Sequence, residues 1–437
     1  MNVLPRHQEI DYAKFSSTSG KREALYGLPK KVTYCKKCII SNQRPSSTIE
    51  FKNNKEEKKK TIHLDENGVC DACNFAEQKE NIDWEARERE LVELCNKHRR
   101  TDGRYDCVVS GSGGKDSFYI AHKLKYKYGM NPLTVTWAPH IYTGWGRENL
   151  ESWIHAGFDN SLFTPNGRVH RLLTRLAVEN LFHPFQPFIL GQKNLAPKEA
   201  LLRGIDLVFY GENEAEYGNA RQDNESAKRD WSYFSLEDKS KVFLSGTSLA
   251  DLKDHFGMKE VDFSPYLPVD PSLVEDSRLE VHYMGYYEKW HPQGAYYFAM
   301  EHSNFQASPE RTPGTYSKYS GVDDMIDDYH FFTTWLKFGI GRATYDAAQE
   351  IRNGDIEREE GVALVQRYDG EYPKRFEKEV FKYLSLDEES FPVASTMFEQ
   401  PTMDREYFDH LCDRFRSPHI WNWQDGQWSM QSVVSNP

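Results

Sequence analysis

Residues 105–117 read Tyr-Asp-Cys-Val-Val-Ser-Gly-Ser-Gly-Gly-Lys-Asp-Ser, and they constrain the fold of this chain more than any other stretch. A short apolar run from Tyr105 to Val109 ends in a Ser/Gly turn. Lys115, Asp116 and Ser117 then lead into Phe118-Tyr119-Ile120-Ala121-His122-Lys123-Leu124, which has helical periodicity. Strand, glycine turn and helix start form a cradle for a phosphate chain. Gly113 and Gly114 let backbone N–H groups approach an anion, and the helix start adds positive potential. A Walker A loop is excluded, because Asp116 follows the lysine where Ser or Thr is required. The alternative is an ordinary strand–helix turn rich in small residues.

The run resembles the pyrophosphate loop, Ser-Gly-Gly-x-Asp-Ser, of ATP pyrophosphatases, which cut ATP between its α- and β-phosphates. That resemblance implies that Ser110, Gly111, Ser112, Gly113, Gly114 and Ser117 hold ATP, with Lys115 and Asp116 at the reacting phosphates.

The surrounding pattern agrees with such a site. Predicted strands at 105–110, 133–137, 161–164 and 206–210 alternate with helices at 115–129, 147–156, 168–182 and 196–203. Alternation of this kind predicts an α/β fold, a doubly wound parallel sheet with helices on both faces. Ligands of such sheets sit at the carboxyl ends of the strands, where the loop falls. Ahead of the first strand, a charged helix spans 82–100. After residue 285 the pattern turns helical, with candidates at 292–302, 322–338, 344–352, 356–368, 373–384 and 401–415. The expected domains are an arm at 1–30, a metal module at 31–80, the α/β domain at 81–285 and a helical region with a tail at 286–437. The tail carries Trp421, Trp423 and Trp428 and could dock on the core or on a partner.

Cys35, Cys38, Cys70 and Cys73 form two C-x-x-C pairs. Two such knuckles complete a tetrahedral thiolate set for structural zinc, with no open position for substrate. Between them, residues 52–60 form a Lys/Glu run read as a solvated loop insertion. Cys95, Cys107 and Cys412 read as small core residues. The start of the chain has no apolar signal segment, and no stretch approaches the roughly 20 residues that span a bilayer. The expectation is a cytoplasmic protein with reduced cysteines. A net charge of −12 argues against broad binding to nucleic acid.

Several other segments fall at the same sheet edge. Gly211-Glu212-Asn213-Glu214-Ala215-Glu216 follows the strand at 206–210. Its carboxylates, Glu212 and Glu216 foremost, could bind Mg²⁺ with ATP, Asp116 being a further ligand, or be exposed turn residues. Trp137 opens a segment suited to contact with adenine or substrate, or to a plain loop. Asp324, Asp327 and Asp328 sit at a helix start, where the dipole favours acids, or they bind a cation or a cationic product. Lys337 and Arg342 flank two glycines in Lys-Phe-Gly-Ile-Gly-Arg, which suits a clamp on phosphate.

From about 33 to 385 the chain resembles the N-acetyl sugar amidotransferases of bacterial surface-polysaccharide (lipopolysaccharide O-antigen) synthesis. The resemblance rests on the two cysteine pairs and the loop at 109–117. It extends through Phe-Thr-Pro-Asn-Gly at 163–167, Gly-Gln-Lys-Asn-Leu-Ala-Pro at 191–197, Gly-Glu-Asn-Glu-Ala-Glu-Tyr-Gly at 211–218 and the 337–342 motif. It implies a ligase that turns an acetamido group of a nucleotide sugar into an acetamidino group, releasing AMP and pyrophosphate. A glutaminase needs an activated thiol, and position 2 is Asn, while no remaining cysteine lies in a glycine-flanked elbow. The resemblance accordingly implies a separate glutaminase with a barrel-type subunit that passes ammonia across. The rival readings are a tRNA-thiolating enzyme and a nucleotide-binding scaffold without chemistry.

Overall fold

The computed structural model describes residues 9–16, 22–46, 50–54, 56, 58–211, 214–218 and 226–436. Its centre is a parallel sheet. Strands β1 (Cys107–Ser110), β2 (Pro132–Trp137), β3 (Asp159–Phe163) and β4 (Leu207–Tyr210) lie in the order β3-β2-β1-β4, and Glu280–Tyr283 adds the far edge. Val108 pairs with Leu133 on one side and Val208 on the other.

The sheet is covered on both faces because its strands are apolar on both. Val108, Val135 and Val208 pack with Leu173, Leu176 and Ala196 of the helices Gly167–Leu181 and Gln186–Arg203. Val109 and Phe209 face the other way, against Phe118, Leu124 and Trp153. This two-sided burial is what continuous apolar strands of a parallel sheet require. Each fully buried Val, Leu or Phe contributes roughly 1.5–3 kcal/mol.

The chain leaves β1 toward β2 and later returns to β1's other side as β4. The sheet therefore has a switch point between β1 and β4, with a crevice beyond their carboxyl ends. The loop Gly111–Gly114 starts there, and Gly211 follows β4 at the same edge.

Some elements depart from the sequence expectation. The helix expected at 196–203 begins at Gln186, because Pro187 suits a helix start and Pro197 is accommodated inside. The helix expected at 115–129 is α-helical only over Lys115–His122, then widens into a π-turn at Lys123–Lys127. The run at 52–60 is not wholly solvated. Phe51 and Asn53 beside and within it are buried, and Gln186 Nε2 donates to the Glu50 carbonyl at 3.1 Å.

The C-terminal region is helical, as expected, and ends in a hairpin of Trp421–Gln424 with Gln427–Met430. The hairpin docks on the core: Trp421 is buried, and its indole N–H donates to the Leu336 carbonyl at 2.7 Å. Tyr12 of the N-terminal arm stacks on Trp423 at 4.7 Å. No helix among the described residues is long and apolar enough to cross a membrane.

The edge strand carries a buried histidine that should register in the pH dependence of stability. His282 sits between the Tyr287 hydroxyl (2.7 Å) and the Glu280 carboxylate (3.1 Å), and burial pushes its pKa down to about 4. The unfolded chain binds this proton near pH 6.5 and the folded one does not. The stability His282 contributes is thus present above about pH 6.5 and lost as pH falls through about 4. Between pH 7 and 4 the native protein should lose roughly 3 kcal/mol more than His282→Gln. Urea unfolding of both proteins across that range checks it, and parallel curves would refute it.

Candidate functional site

The glycine loop closes tightly at the end of β1. The Gly111 N–H donates to the Val135 carbonyl at 3.0 Å. A Cβ on Gly111 would lie 2.1 Å from that of Ser117, so the position admits no side chain. Gly113 has φ +85°, in the left-handed region. Gly114 precedes the helix Lys115–His122, and no side chain caps that helix start. Its first N–H groups therefore face the loop's concavity with no capping oxygen, the arrangement that receives anions at a helix N-terminus. The Ser117 hydroxyl donates to the Gly114 carbonyl at 3.1 Å, bracing the turn.

Two cavities meet at this loop. The smaller, about 180 Å³, is lined by Ser112, Gly114, Lys115, Asp116, Asp323 and Arg342. The larger, about 530 Å³, opens beside it. Lys115, Asp116, Tyr319, Ser320 and Arg342 line both and form the shared wall. Lys115 Nζ contacts both Asp116 carboxylate oxygens at 2.7 Å and lies 5.8 Å from the Tyr319 ring centre.

The C-terminal region supplies the far side of the smaller cavity. Residues 321–326 lie across the loop that follows β2. The Thr143 N–H donates to the Asp323 carbonyl at 3.1 Å, and the Met325 N–H to the Ile141 carbonyl at 3.0 Å. Gly146 is required beneath this strap, since a Cβ there would sit 2.5 Å from Asp323 Cα. Burial pushes the Asp323 carboxyl up from its ordinary range, and a hydrogen bond from Ser112 opposes that shift. Asp327 is pushed up to about 7, by burial above all, with Arg342 working against it.

Among the anticipated residues that the structure describes, Ser112, Gly114, Lys115, Asp116, Lys337 and Arg342 line these cavities, and Ser110, Gly111, Gly113, Ser117, Trp137 and Glu216 do not. Trp137 is buried beneath the site, against Phe163 and the surface of Gly191, because the strand period turns it toward the helix Gln186–Arg203. Glu216 is also buried. Its carboxylate accepts from Lys79 Nζ at 2.6 Å, and Lys79 donates to the Trp290 carbonyl at 3.1 Å as well. A buried ammonium needs such a counter-charge, so Glu216 ties the metal module to the sheet instead of facing a cavity. Glu212 lies outside the described residues. Lys337 reaches the larger cavity's wall, yet its ammonium donates to the Leu181 carbonyl at 2.5 Å, and burial pulls its pKa well down. It caps the end of the helix Gly167–Leu181.

The acidic segment divides its labour. Asp324 accepts from the His140 N–H at 2.7 Å and contacts its ring nitrogen at 2.6 Å. Asp328 receives Arg375 through two nitrogens at 2.7 and 2.8 Å. Both acids hold the strap and the helix start in place. Asp323 had no separate signal within its run of acids. Arg44 and Arg352 line the larger cavity and were not anticipated, since neither stands in a motif.

The four cysteines of the N-terminal module are buried, and their sulfurs lie within 4.8 Å of one another. The Cys35–Cys73 and Cys38–Cys70 separations are 3.8 and 3.7 Å. A tetrahedron with zinc–sulfur bonds of about 2.3 Å has edges of about 3.8 Å, so the set fits structural zinc. Cys70 sits at the start of the helix Asp71–Lys79 and Cys73 within it. Ile39, Ile40 and Val69 of the module pack on Ile340, Ala343, Ala347 and Val362.

Residues 313–434 match the family model of the LPS biosynthesis protein WbpG-like, C-terminal domain. That match supports the resemblance to surface-polysaccharide amidotransferases and a role in polysaccharide biosynthesis. It covers the helix Arg342–Asn353, which lines the larger cavity, Tyr319, which lines both, and the Asp323 strap, which lines the smaller. A curated archaeal protein, uncharacterized protein MJ1599 of Methanocaldococcus jannaschii, is 32% identical over 77 residues. The alignment spans 18% of this chain and 27% of that protein's length.

Proposed function

We propose that this chain is an ATP-dependent amidotransferase that converts an acetamido group of a nucleotide-activated sugar into an acetamidino group, with AMP and pyrophosphate as the other products. One observation carries the reading. An uncapped glycine loop and Lys115 stand at the junction of two cavities, on a chain whose C-terminal part matches a polysaccharide-biosynthesis family.

The chemistry needs both cavities. An amide carbonyl is a weak electrophile toward ammonia. Its oxygen attacks the α-phosphorus of ATP, an O–P bond forms, and the bond to the bridging oxygen of the β-phosphate breaks. Pyrophosphate leaves with that electron pair. Ammonia then adds to the carbon of the O-adenylyl imidate, loses a proton, and expels AMP. Lys115 and the N–H groups of the loop stabilise the charge that grows on the departing pyrophosphate. Arg342, on the shared wall, faces both reactants. Asp116 and Asp323 offer oxygen ligands in the smaller cavity and would hold Mg²⁺, which when bound offsets phosphate charge. Orientation between the cavities accounts for the remaining rate gain.

Ammonia comes, in this reading, from a separate glutaminase with a barrel-type subunit. Cys95, Cys107 and Cys412 are buried, and burial raises all three thiols, that of Cys95 to about 11. Such thiols make poor nucleophiles.

The test is incubation of the purified chain with ATP, Mg²⁺, ammonium chloride and a panel of acetamido-sugar nucleotides. AMP and pyrophosphate should form only with the correct sugar, whose mass should fall by about one unit as the carbonyl oxygen is replaced by an NH group. Release of ADP, or turnover without change in any sugar, would refute the reading.

A further inference from the structure

The helix Gly167–Leu181 stops in an uncommon way. Phe182 follows it in the left-handed conformation, at φ 48° and ψ 46°, where glycine or asparagine is usual. Its ring is held there by stacking on Phe415 at 4.8 Å. Strained backbone of this kind collects at functional sites. The next residue, His183, lines the larger cavity.

His183 does not stand alone. His330, from the helix Asp327–Phe338, stacks on its ring at 5.0 Å and lines the same cavity. Glu50 lines it too, with Oε2 3.8 Å from His183 Nε2. That carboxylate is steadied by Asn53, whose Nδ2 donates to it at 3.4 Å. A carboxylate on this side favours the proton on Nε2 and leaves the lone pair on Nδ1. His330 has its own Nδ1 buried without a partner, and it serves to pack the ring of His183.

Burial above all holds His183 well below the ordinary imidazole range, and Lys59, Lys337 and Lys193 push the same way. The facing ring of His330 is held down by burial, then by His183, Arg342 and His140, against the pull of Glu50. Both rings are therefore neutral in the ligand-free protein. Phosphate charge bound nearby offsets those cations and raises the basicity of His183 once the reactants are in place.

The pair stands where one step of the chemistry needs a base. Lys115 and Asp116 of the loop line the same cavity, and Arg342 lies 4.1 Å over the ring of Phe331, the neighbour of His330. Ammonia adds to the carbon of the O-adenylyl imidate through its lone pair, and the C=N electrons move onto the imidate nitrogen. The added nitrogen is then ammonium-like and is the easiest group to expel, so the step reverses until a proton leaves. Transfer of that proton to an imidazole breaks one N–H bond and forms another. The C–O bond to AMP then breaks, and AMP takes the electron pair. The imidazolium returns its proton to water before the next turnover.

We infer that His183 is the catalytic base for this step, with Glu50 stabilising its imidazolium and His330 holding its ring. The inference rests on the function proposed above and adds the residue that drives its second half.

Two assays on the full chain separate the halves. Exchange of labelled pyrophosphate into ATP without ammonium reports adenylylation of each UDP- or CMP-linked acetamido sugar of the panel. AMP release with ammonium chloride reports the complete reaction. His183→Gln should keep the exchange within about twofold and lose ammonium-dependent AMP release by about 10²-fold, the share of a general base. Hydroxylamine in place of ammonium should restore most of that loss, because its adduct gives up a proton readily to water. Glu50→Gln should lose about tenfold in the ammonium reaction alone, and it carries the test should His183→Gln fail to fold.

Equal losses in exchange and AMP release would overturn the assignment. So would a failure of hydroxylamine to restore the rate, or native ammonium turnover in both variants. Exchange absent from the native chain with every sugar would instead sink the proposed reaction, and this step with it.

Discussion

Lys115→Ala should lower the rate of AMP release by roughly 10²–10³-fold with little change in folding stability, as expected for a donor aimed at charge that develops in the transition state. The side chain projects from the first turn of the helix Lys115–His122 into the wall shared by the two cavities, where its ammonium bonds to the Asp116 carboxylate. Its loss removes a positive charge from the phosphate site and opens no hole in the core. Gly113→Ala should give a similar kinetic loss for a different reason. The position has φ +85°, and a Cβ would lie 2.8 Å from Leu150 Cα and 2.9 Å from the Asn149 carbonyl. Both are backbone atoms of the packed helix Gly144–His155, so the loop must move instead. That strain costs about 1–3 kcal/mol and displaces the N–H groups from the anion. Steady-state kinetics beside thermal unfolding separate the two variants: Lys115→Ala loses rate at constant stability, Gly113→Ala loses both. Full turnover by Lys115→Ala would remove the central role given to the loop.

Cys73→Ser should abolish stoichiometric zinc and destabilise the N-terminal module by roughly 4–5 kcal/mol or more, because a structural metal's binding energy is folding energy. The effect should spread beyond the module. Ile39, Ile40 and Val69 pack on the helices Arg342–Asn353 and Arg358–Tyr368 through Ala343, Ala347, Val362 and Val365. Lys79, in the same helix as Cys73, holds Glu216 at the sheet edge. The variant should therefore be cut by trypsin within 31–80, and its unfolding midpoint should fall. A strong chelator should reproduce both effects in the native chain. Metal analysis, limited proteolysis and calorimetry check this, and a metal-free native chain with an unchanged midpoint would refute it.

The local signals were the legible ones. The run at 105–117 specifies strand, turn and helix through its own apolar period and glycines, and β1, the loop and the helix stand where that pattern puts them. The cysteine spacing brought four sulfurs together because two knuckles need no distant information. The C-terminal hairpin was not anticipated in the tail, although its turn has a local cause: Asp425 and Gly426 have φ 51° and 76°, the paired left-handed turn that Asp-Gly favours, between strands rich in Trp. The edge strand Glu280–Tyr283 was not readable, because four residues carry too little period to separate a strand from a loop.

Side-chain destinations were the part that escaped. Glu216 and Lys337 both looked available, and each is held by a group far away in sequence, Lys79 and the Leu181 carbonyl. Trp137 is directed by the pleat of β2 into the core, against a glycine 54 positions later. Arg44, Arg352 and Asp323 have no local pattern, and reach the cavities only because the module, the helix Arg342–Asn353 and the strap close on one sheet edge. By itself the sequence determined the pieces whose physics is contained within a few residues: the anion loop, the metal knuckles and the alternating elements of the sheet. The tertiary structure alone decided which charges face the cavities and which neutralise one another in the interior, because burial makes a charge seek whatever partner the fold brings within reach, and that partner can come from anywhere in the chain.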